Sequence, residues 1–298
     1  MLTPFHSRPR CLTIVLIAAM PAALFAQWGP YPTPGVPRTP DGKPNLSAPA
    51  PKTSDGKPDL TGIWENVPSL GRARPAADPN AKAPRPNDDF FGGLKTNDDF
   101  LALVKRSPFW NLGSSFPDGL PFQPWAAELH RQRVADNSKD NPDAHCLPMG
   151  MMQFHNHGQP RKMIQTPQVI VILYEANAGI RQIFTDGRPL PSKDADPWWY
   201  GYSTGHWEGD TLVVQSAGFR DLGWLDVEGS PLTSDAHVTE RYRRPDFGHL
   251  DIEVTIDDPR AYTKPWTVAV HQRIMVDTEL IEFVCQENEV DAPHLTAK

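Results

Sequence analysis

From residue 163 to residue 286, apolar and polar positions alternate with a period of two, the signature of strands that bury one face. The clearest run is 250–257, where Leu250, Ile252, Val254 and Ile256 interleave with Asp251, Glu253, Thr255 and Asp257. Residues 266–276 repeat it through Trp266, Val268, Val270, Ile274 and Val276, interrupted by Gln272. Shorter runs fall at 163–166, 168–175, 180–184, 237–243 and 279–286, and Gly62-Ile63-Trp64 opens the series upstream. Between them, 198–208 and 211–217 flank Gly209-Asp210, which places glycine at the first central position of a two-residue turn and predicts a hairpin. Its first strand puts Trp198, Tyr200 and Tyr202 on one face and Trp199, Gly201, Ser203 and Trp207 on the other. The pattern predicts a mainly β protein: an antiparallel meander of about ten strands closed into a barrel or sandwich, with a short helical insertion after the first strand.

That insertion, about 70–147, is rich in proline and carries two helical patterns. Residues 98–106 begin with Asp98-Asp99 and end with Lys105-Arg106, matching the helix dipole. Residues 124–137 open on Pro124 and interleave Trp125, Leu129 and Val134 with Glu128, Arg131 and Arg133.

The N-terminal end reads differently. Residues 1–26 hold Arg8 and Arg10, then an apolar run from 12 to 25, and no acidic side chain, which predicts a secretory signal peptide cut after Ala26. The apolar run is short for a membrane span of about 20 residues, and no later stretch reaches that length. Residues 27–60 contain nine prolines and almost no apolar pattern, so the expectation is a disordered tether. Inside it a hexapeptide recurs, Asp41-Gly-Lys-Pro-Asn-Leu46 and Asp55-Gly-Lys-Pro-Asp-Leu60. Residues 61–298 then form one β-rich domain.

Export changes the cysteine and charge accounts. Without residues 1–26 the chain keeps Cys146 and Cys285, which an oxidising compartment would pair as a disulfide, with buried free thiols or a soft metal ligand beside His145 as alternatives. Removing Arg8 and Arg10 from 29 basic residues leaves 27 against 36 acidic ones, a net charge of −9 that repels nucleic acid and anionic lipid. The expected location is secreted or periplasmic, and no cofactor is expected.

The blocks DGKPDLTGIW (55–64), HCLP (145–148), IFTDGRPLP (183–191), WEGDTLVV (207–214), TERYRRPD (239–246) and DDPRAYTKPWTV (257–268) resemble a family of uncharacterised secreted bacterial proteins with the same blocks. That resemblance implies no activity. At the level of fold, Gly62-Ile63-Trp64 and the 207–212 turn also resemble the calycins, the lipocalin and fatty-acid-binding barrels. This chain departs from them in its long insertion and in lacking a basic pair between 279 and 286.

Three patterns carry candidate chemistry. Gly201-Tyr202-Ser203-Thr204-Gly205 matches the turn that exposes a hydrolase serine, and Asp221, Asp226 or Asp235 followed by His237, His249 or His271 keeps the acid-then-histidine order. The helix that should follow the serine is absent. His155-Asn156-His157 would align two imidazoles on one side of a strand, as a metal pair requires, with His145 or Cys146 as a third ligand. Trp64, Trp198, Trp199, Tyr200, Tyr202 and Trp207 offer either core packing or the wall of a pocket for an apolar or sugar-like ligand. Glu240 and Tyr242 share a face with Val238, so the carboxylate points inward and needs Arg181 or Arg241 as a partner. The reading that follows is a non-catalytic binder of a small, partly apolar ligand through Trp198, Trp199, Tyr202, Glu240, Tyr242 and Arg181. The alternative is a hydrolase or metal-dependent enzyme using Ser203 or the His155/His157 pair.

Overall fold

A computed structural model describes residues 32–67, 107–285 and 287. Nine strands close into a barrel. In chain order they are β1 (Gly62–Asn66), β2 (Arg161–Gln165), β3 (Val169–Tyr174), β4 (Ile180–Phe184), β5 (Tyr202–Glu208), β6 (Thr211–Ala217), β9 (His237–Arg243), β10 (His249–Asp257) and β11 (Trp266–Met275). Around the barrel the order is β1-β11-β10-β9-β6-β5-β4-β3-β2, with β1 pairing β2 to close it. A separate ribbon, β7 (Gly223–Trp224) with β8 (Pro231–Leu232), lies in the connection from β6 to β9.

The alternating positions fall as their polarity dictates. Leu250, Ile252, Val254 and Ile256 of β10 are buried, as are Trp266, Val268, Val270 and Ile274 of β11. Gln272, which interrupts that run, also points inward and is 1% exposed. The Gly209-Asp210 hairpin joins β5 to β6 in the expected register, Glu208 opposite Thr211.

Two expectations about the sheet are corrected. The barrel is mixed rather than wholly antiparallel, because β4 and β5 run parallel through Ile183–Ser203 and Phe184–Thr204. A parallel neighbour requires the chain to return along the barrel, and residues 185–201 make that crossover. In consequence Trp198–Gly201 are not part of β5. Gly201 turns the chain into the strand at φ +67, with Phe219 packed so closely that a Cβ would sit 2.6 Å from its ring. Residues 279–285 are no strand either. They form a strap, held by Lys162–Glu279 at 2.6 Å, by the Ile281 amide donating to Glu175, and by the Cys146–Cys285 disulfide. Those two Cα atoms stand 5.5 Å apart across a sequence separation of 139, a loop whose closure contributes about 4–5 kcal/mol in the chain-entropy account.

The disordered tether is the third correction. From residue 32 the chain is ordered against the barrel. Each hexapeptide copy builds the same turn: the Gly42 amide donates to the Thr39 carbonyl and Gly56 to Thr53, while the Thr39 and Thr53 hydroxyls each donate to the aspartate two residues on. The turns are held by partners far along the chain. The Phe247 and Gly248 amides donate to the carbonyls of Ala48 and Leu46, and the Leu60 amide donates to Gln165 Oε1 at 2.8 Å. Leu60 is fully buried. The stretch carries little apolar pattern of its own, and the barrel supplies the apolar surface and amides that order it.

Two α-helices are described. α1 (Pro124–Ala135) matches its predicted span, but its expected apolar face does not. Trp125 and Val134 are exposed and Ala126 is the buried position, since the helix docks through polar groups. Trp125 Nε1 donates to the Arg260 carbonyl, Arg133 donates to the Gly229 carbonyl, and the Arg133 guanidinium stacks 4.3 Å from Trp224. α2 (Met151–Asn156) is a helix where the sequence suggested a strand. Its start packs so tightly on the Trp224 carbonyl, 1.5 Å from where a Cβ at Gly150 would fall, that only glycine fits there. The signal-peptide and 98–106 helix expectations lie outside the described residues. Among the described residues no helix is long and apolar enough to cross a membrane.

Candidate functional site

α2 lies across the barrel interior and bridges opposite walls. Phe154 stacks on Tyr174 of β3 at 4.2 Å, the Asn156 carbonyl accepts from Asn66 of β1, and His155 reaches Glu240 of β9. Met151, Met152, Gln153, Phe154 and His155 are all buried. Arg161 of β2 holds the helix end by donating to the carbonyls of His155 and His157. Burial pushes the Arg161 guanidinium down to about 10.

Beneath α2 sits a closed polar cluster centred on Arg181 and Glu240. Arg181 makes a two-nitrogen ion pair with Glu240, its Nη1 donating to Oε1 at 3.0 Å and its Nη2 closing on Oε2. The same guanidinium donates to the hydroxyls of Ser203 and Ser216, each at 3.1 Å from Nη2. Glu240 Oε1 also meets His155 Nε2 and the Tyr242 hydroxyl, both at 2.7 Å. Burial alone would raise the Glu240 carboxyl, yet the Arg181 charge and the His155 and Arg181 hydrogen bonds bring it well below the ordinary carboxylate range. Burial drives the His155 imidazole down, against the pull of Glu240. A neutral imidazole facing an ionised carboxylate donates from Nε2, which leaves His155 Nδ1 buried with no hydrogen-bond partner among the described residues.

The inward carboxylate read from the sequence is therefore real, and of its two proposed partners Arg181 is the one it meets. Arg241 lies on the outer face and donates to Glu208 instead. Ser203, Arg181, Glu240 and Tyr242 are each no more than 2% exposed, so this cluster is sealed from solvent.

The serine and histidine motifs are not assembled for catalysis. Ser203 is the second residue of β5, with Arg181 and Ser216 as its hydrogen-bond partners, and none of the histidines considered for it is among them. His249 and His271 pair with Asp246 and Asp251, while Asp226 is satisfied by Ser230 and the Leu112 amide. His155 and His157 do not share a ligand: His155 binds Glu240, and His157 Nδ1 accepts from the Gln159 amide. Cys146 is spent in the disulfide and His145 bonds the Lys139 carbonyl. Among the described residues no group of three His, Cys, Asp or Glu is placed to hold a metal ion.

The aromatic candidates separate into two sets. Trp64 is fully buried beneath the Arg244 guanidinium, and Tyr200 and Trp207 pack against the core. Trp198 and Tyr202 lie outside. Trp198 is 42% exposed and meets Tyr202 edge-on at 5.2 Å, and Tyr202 stacks on Phe184 of β4 at 5.1 Å. Arg188 covers Phe184 at 4.0 Å and donates to the Tyr202 hydroxyl. The parallel pairing of β4 and β5 is what brings Phe184 beside Tyr202. Trp199 stands apart from this series under Arg220, whose guanidinium is 4.7 Å from its ring. The niche beside it is about 20 Å³, room for roughly one water. Phe184 and Arg188 were not expected from sequence, and the turn chemistry of Asp186-Gly187 was the one local sign that Arg188 doubles back over the strand end.

No family model, no curated protein and no solved structure matches this chain.

Proposed function

We propose that this is an exported, non-catalytic binding protein whose contact surface is the outer aromatic series Trp198, Tyr202 and Phe184, edged by Arg188. The observation that carries the reading is a 42%-exposed tryptophan in edge contact with Tyr202, which in turn stacks on Phe184, so that two of the three rings in the series stand on barrel strands. Exposed rings already fixed by packing present a large amphipathic area at little entropic cost. A small ligand with an apolar face and a polar rim, such as a sugar ring, stacks on such a surface and hydrogen-bonds to the Arg188 edge. The closed cluster around Glu240, Tyr242 and Arg181 supports this indirectly, by holding the strands that carry the platform. The disulfide, the net charge of −9 and the signal-like residues 1–26 support an extracytoplasmic location and a partner that is neither nucleic acid nor anionic lipid.

Tryptophan fluorescence titration with neutral oligosaccharides tests the reading. Saturable quenching that is lost in Trp198→Ala and Tyr202→Ala is expected. Ester turnover abolished by Ser203→Ala, or stoichiometric bound metal lost with His157→Ala, would overturn it in favour of an enzyme.

A further inference from the structure

A concavity of about 430 Å³, within the range of small-ligand sites, lies on the outer face of the barrel, away from the aromatic series. It is lined by Thr211 of β6, Arg241 and Arg243 of β9, Asp251 and Glu253 of β10, and Ala269 and His271 of β11. Its cause is local. Ala269 faces Glu253 across the β10–β11 pair, and its single methyl group leaves a hollow between the long side chains around it.

The charges in the hollow are unequally satisfied. Arg241 is engaged by Glu208 at 2.9 Å and Asp251 by His271 at 2.7 Å, which also holds the Asp251 carboxyl below its ordinary range. Arg243 and Glu253 are exposed, and among the described residues neither has a hydrogen-bond or ion-pair partner, although the Arg243 charge also helps to lower the Asp251 carboxyl. The register makes Arg243 opposite Asp251 and Arg241 opposite Glu253, so the two free charges are diagonal neighbours, with Cα atoms about 7–8 Å apart. Both side chains line the hollow, one from each strand of the pair.

We infer that this groove is a binding site for a short zwitterionic peptide, with the peptide carboxylate on Arg243 and its ammonium group on Glu253. A dipeptide spans the two charges, its side chains rest over Ala269, and its amide lies within the hollow beside the Thr211 hydroxyl and the His271 ring. A simple anion leaves Glu253 unmatched and a simple cation leaves Arg243 unmatched, so the groove selects for both charges on one molecule. This site is separate from the aromatic platform and goes beyond that reading.

Isothermal titration of the full-length protein with alanyl-alanine tests it. Saturable binding is expected, weakened at least tenfold by Arg243→Gln and by Glu253→Gln. Amidating the peptide C-terminus should weaken binding to the unsubstituted protein and have little further effect in Arg243→Gln; N-acetylation should do the same with respect to Glu253→Gln. No saturable binding up to on the order of 10 mM peptide, or binding that neither substitution alters, would overturn the proposal. Both side chains are exposed, so neither substitution touches the core.

Discussion

The Arg181–Glu240 cluster inside the barrel and the Trp198–Tyr202–Phe184 series outside it are built on the same strands and face opposite ways. β5 contributes Ser203 to the first and Tyr202 to the second, one residue apart. Inside, Arg181 and Glu240 are paired and dry, and the chemistry that looks reactive in sequence is consumed in holding the strands and α2 together. Outside, the rings meet one another and remain open to solvent. Polar groups that resemble an active site in a list of residues are structural when nothing can reach them, and exposed aromatics fixed by neighbouring rings are the better candidates for contact.

The sharpest way to break this comparison is to remove the inner carboxylate. Glu240→Ala leaves Arg181 buried without a partner and should cost about 3–5 kcal/mol, lowering the melting temperature by roughly 10 °C in a domain of this size. A change of a degree or two in a calorimetric scan would show that the cluster is not part of the core. Leu60→Ala tests whether the N-terminal segment belongs to that sealed interior. Leu60 is fully buried, so a loss of about 2–4 kcal/mol in urea titration is expected, where a loose tether would give none.

Acid should affect the interior before the exterior. His155 and His157 are both held below the ordinary imidazole range by burial, with Arg161 adding to the effect, and His157 falls to about 4. The unfolded chain therefore takes up these protons first, so stability present above about pH 6.5 is lost as the pH falls toward about 4. Glu240, also depressed, adds a further loss only below the ordinary carboxylate range. Denaturant midpoints measured at pH 7.5, 6 and 5 should decline in that order, and His157→Gln should flatten the decline. The smallest effect on stability belongs to the platform. Trp198→Ala should change the folding free energy by no more than about 0.5 kcal/mol while removing ligand-dependent fluorescence changes, and a large loss of stability would move Trp198 into the core set.

Much of the architecture was legible because burial on one face of a strand imposes a period of two on the sequence. The runs at 180–184, 211–217, 237–243 and 250–257 lie within a residue of strands β4, β6, β9 and β10, and the Gly209-Asp210 turn set the β5–β6 register. The inward direction of Glu240 followed from sharing a face with Val238 and Tyr242, and the pairing of Cys146 with Cys285 followed from the even count left once the expected signal peptide is set aside.

What depended on long-range partners was not legible. Residues 32–60 have no pattern of their own to read, and their order comes from distant groups such as the Phe247 and Gly248 amides, Gln165 and Asp277. α2 is six residues long and buried on nearly every side, so it has no amphipathic period, and the contacts that hold it come from β1, β3 and β9 rather than from itself. The parallel β4–β5 pair depends on where a long crossover lands, which alternation cannot encode. Sequence by itself determined which positions face in and which face out, since that choice is local to each strand. Only the tertiary structure decided which inward groups meet and which outward groups stay open, because both depend on residues tens to hundreds of positions apart.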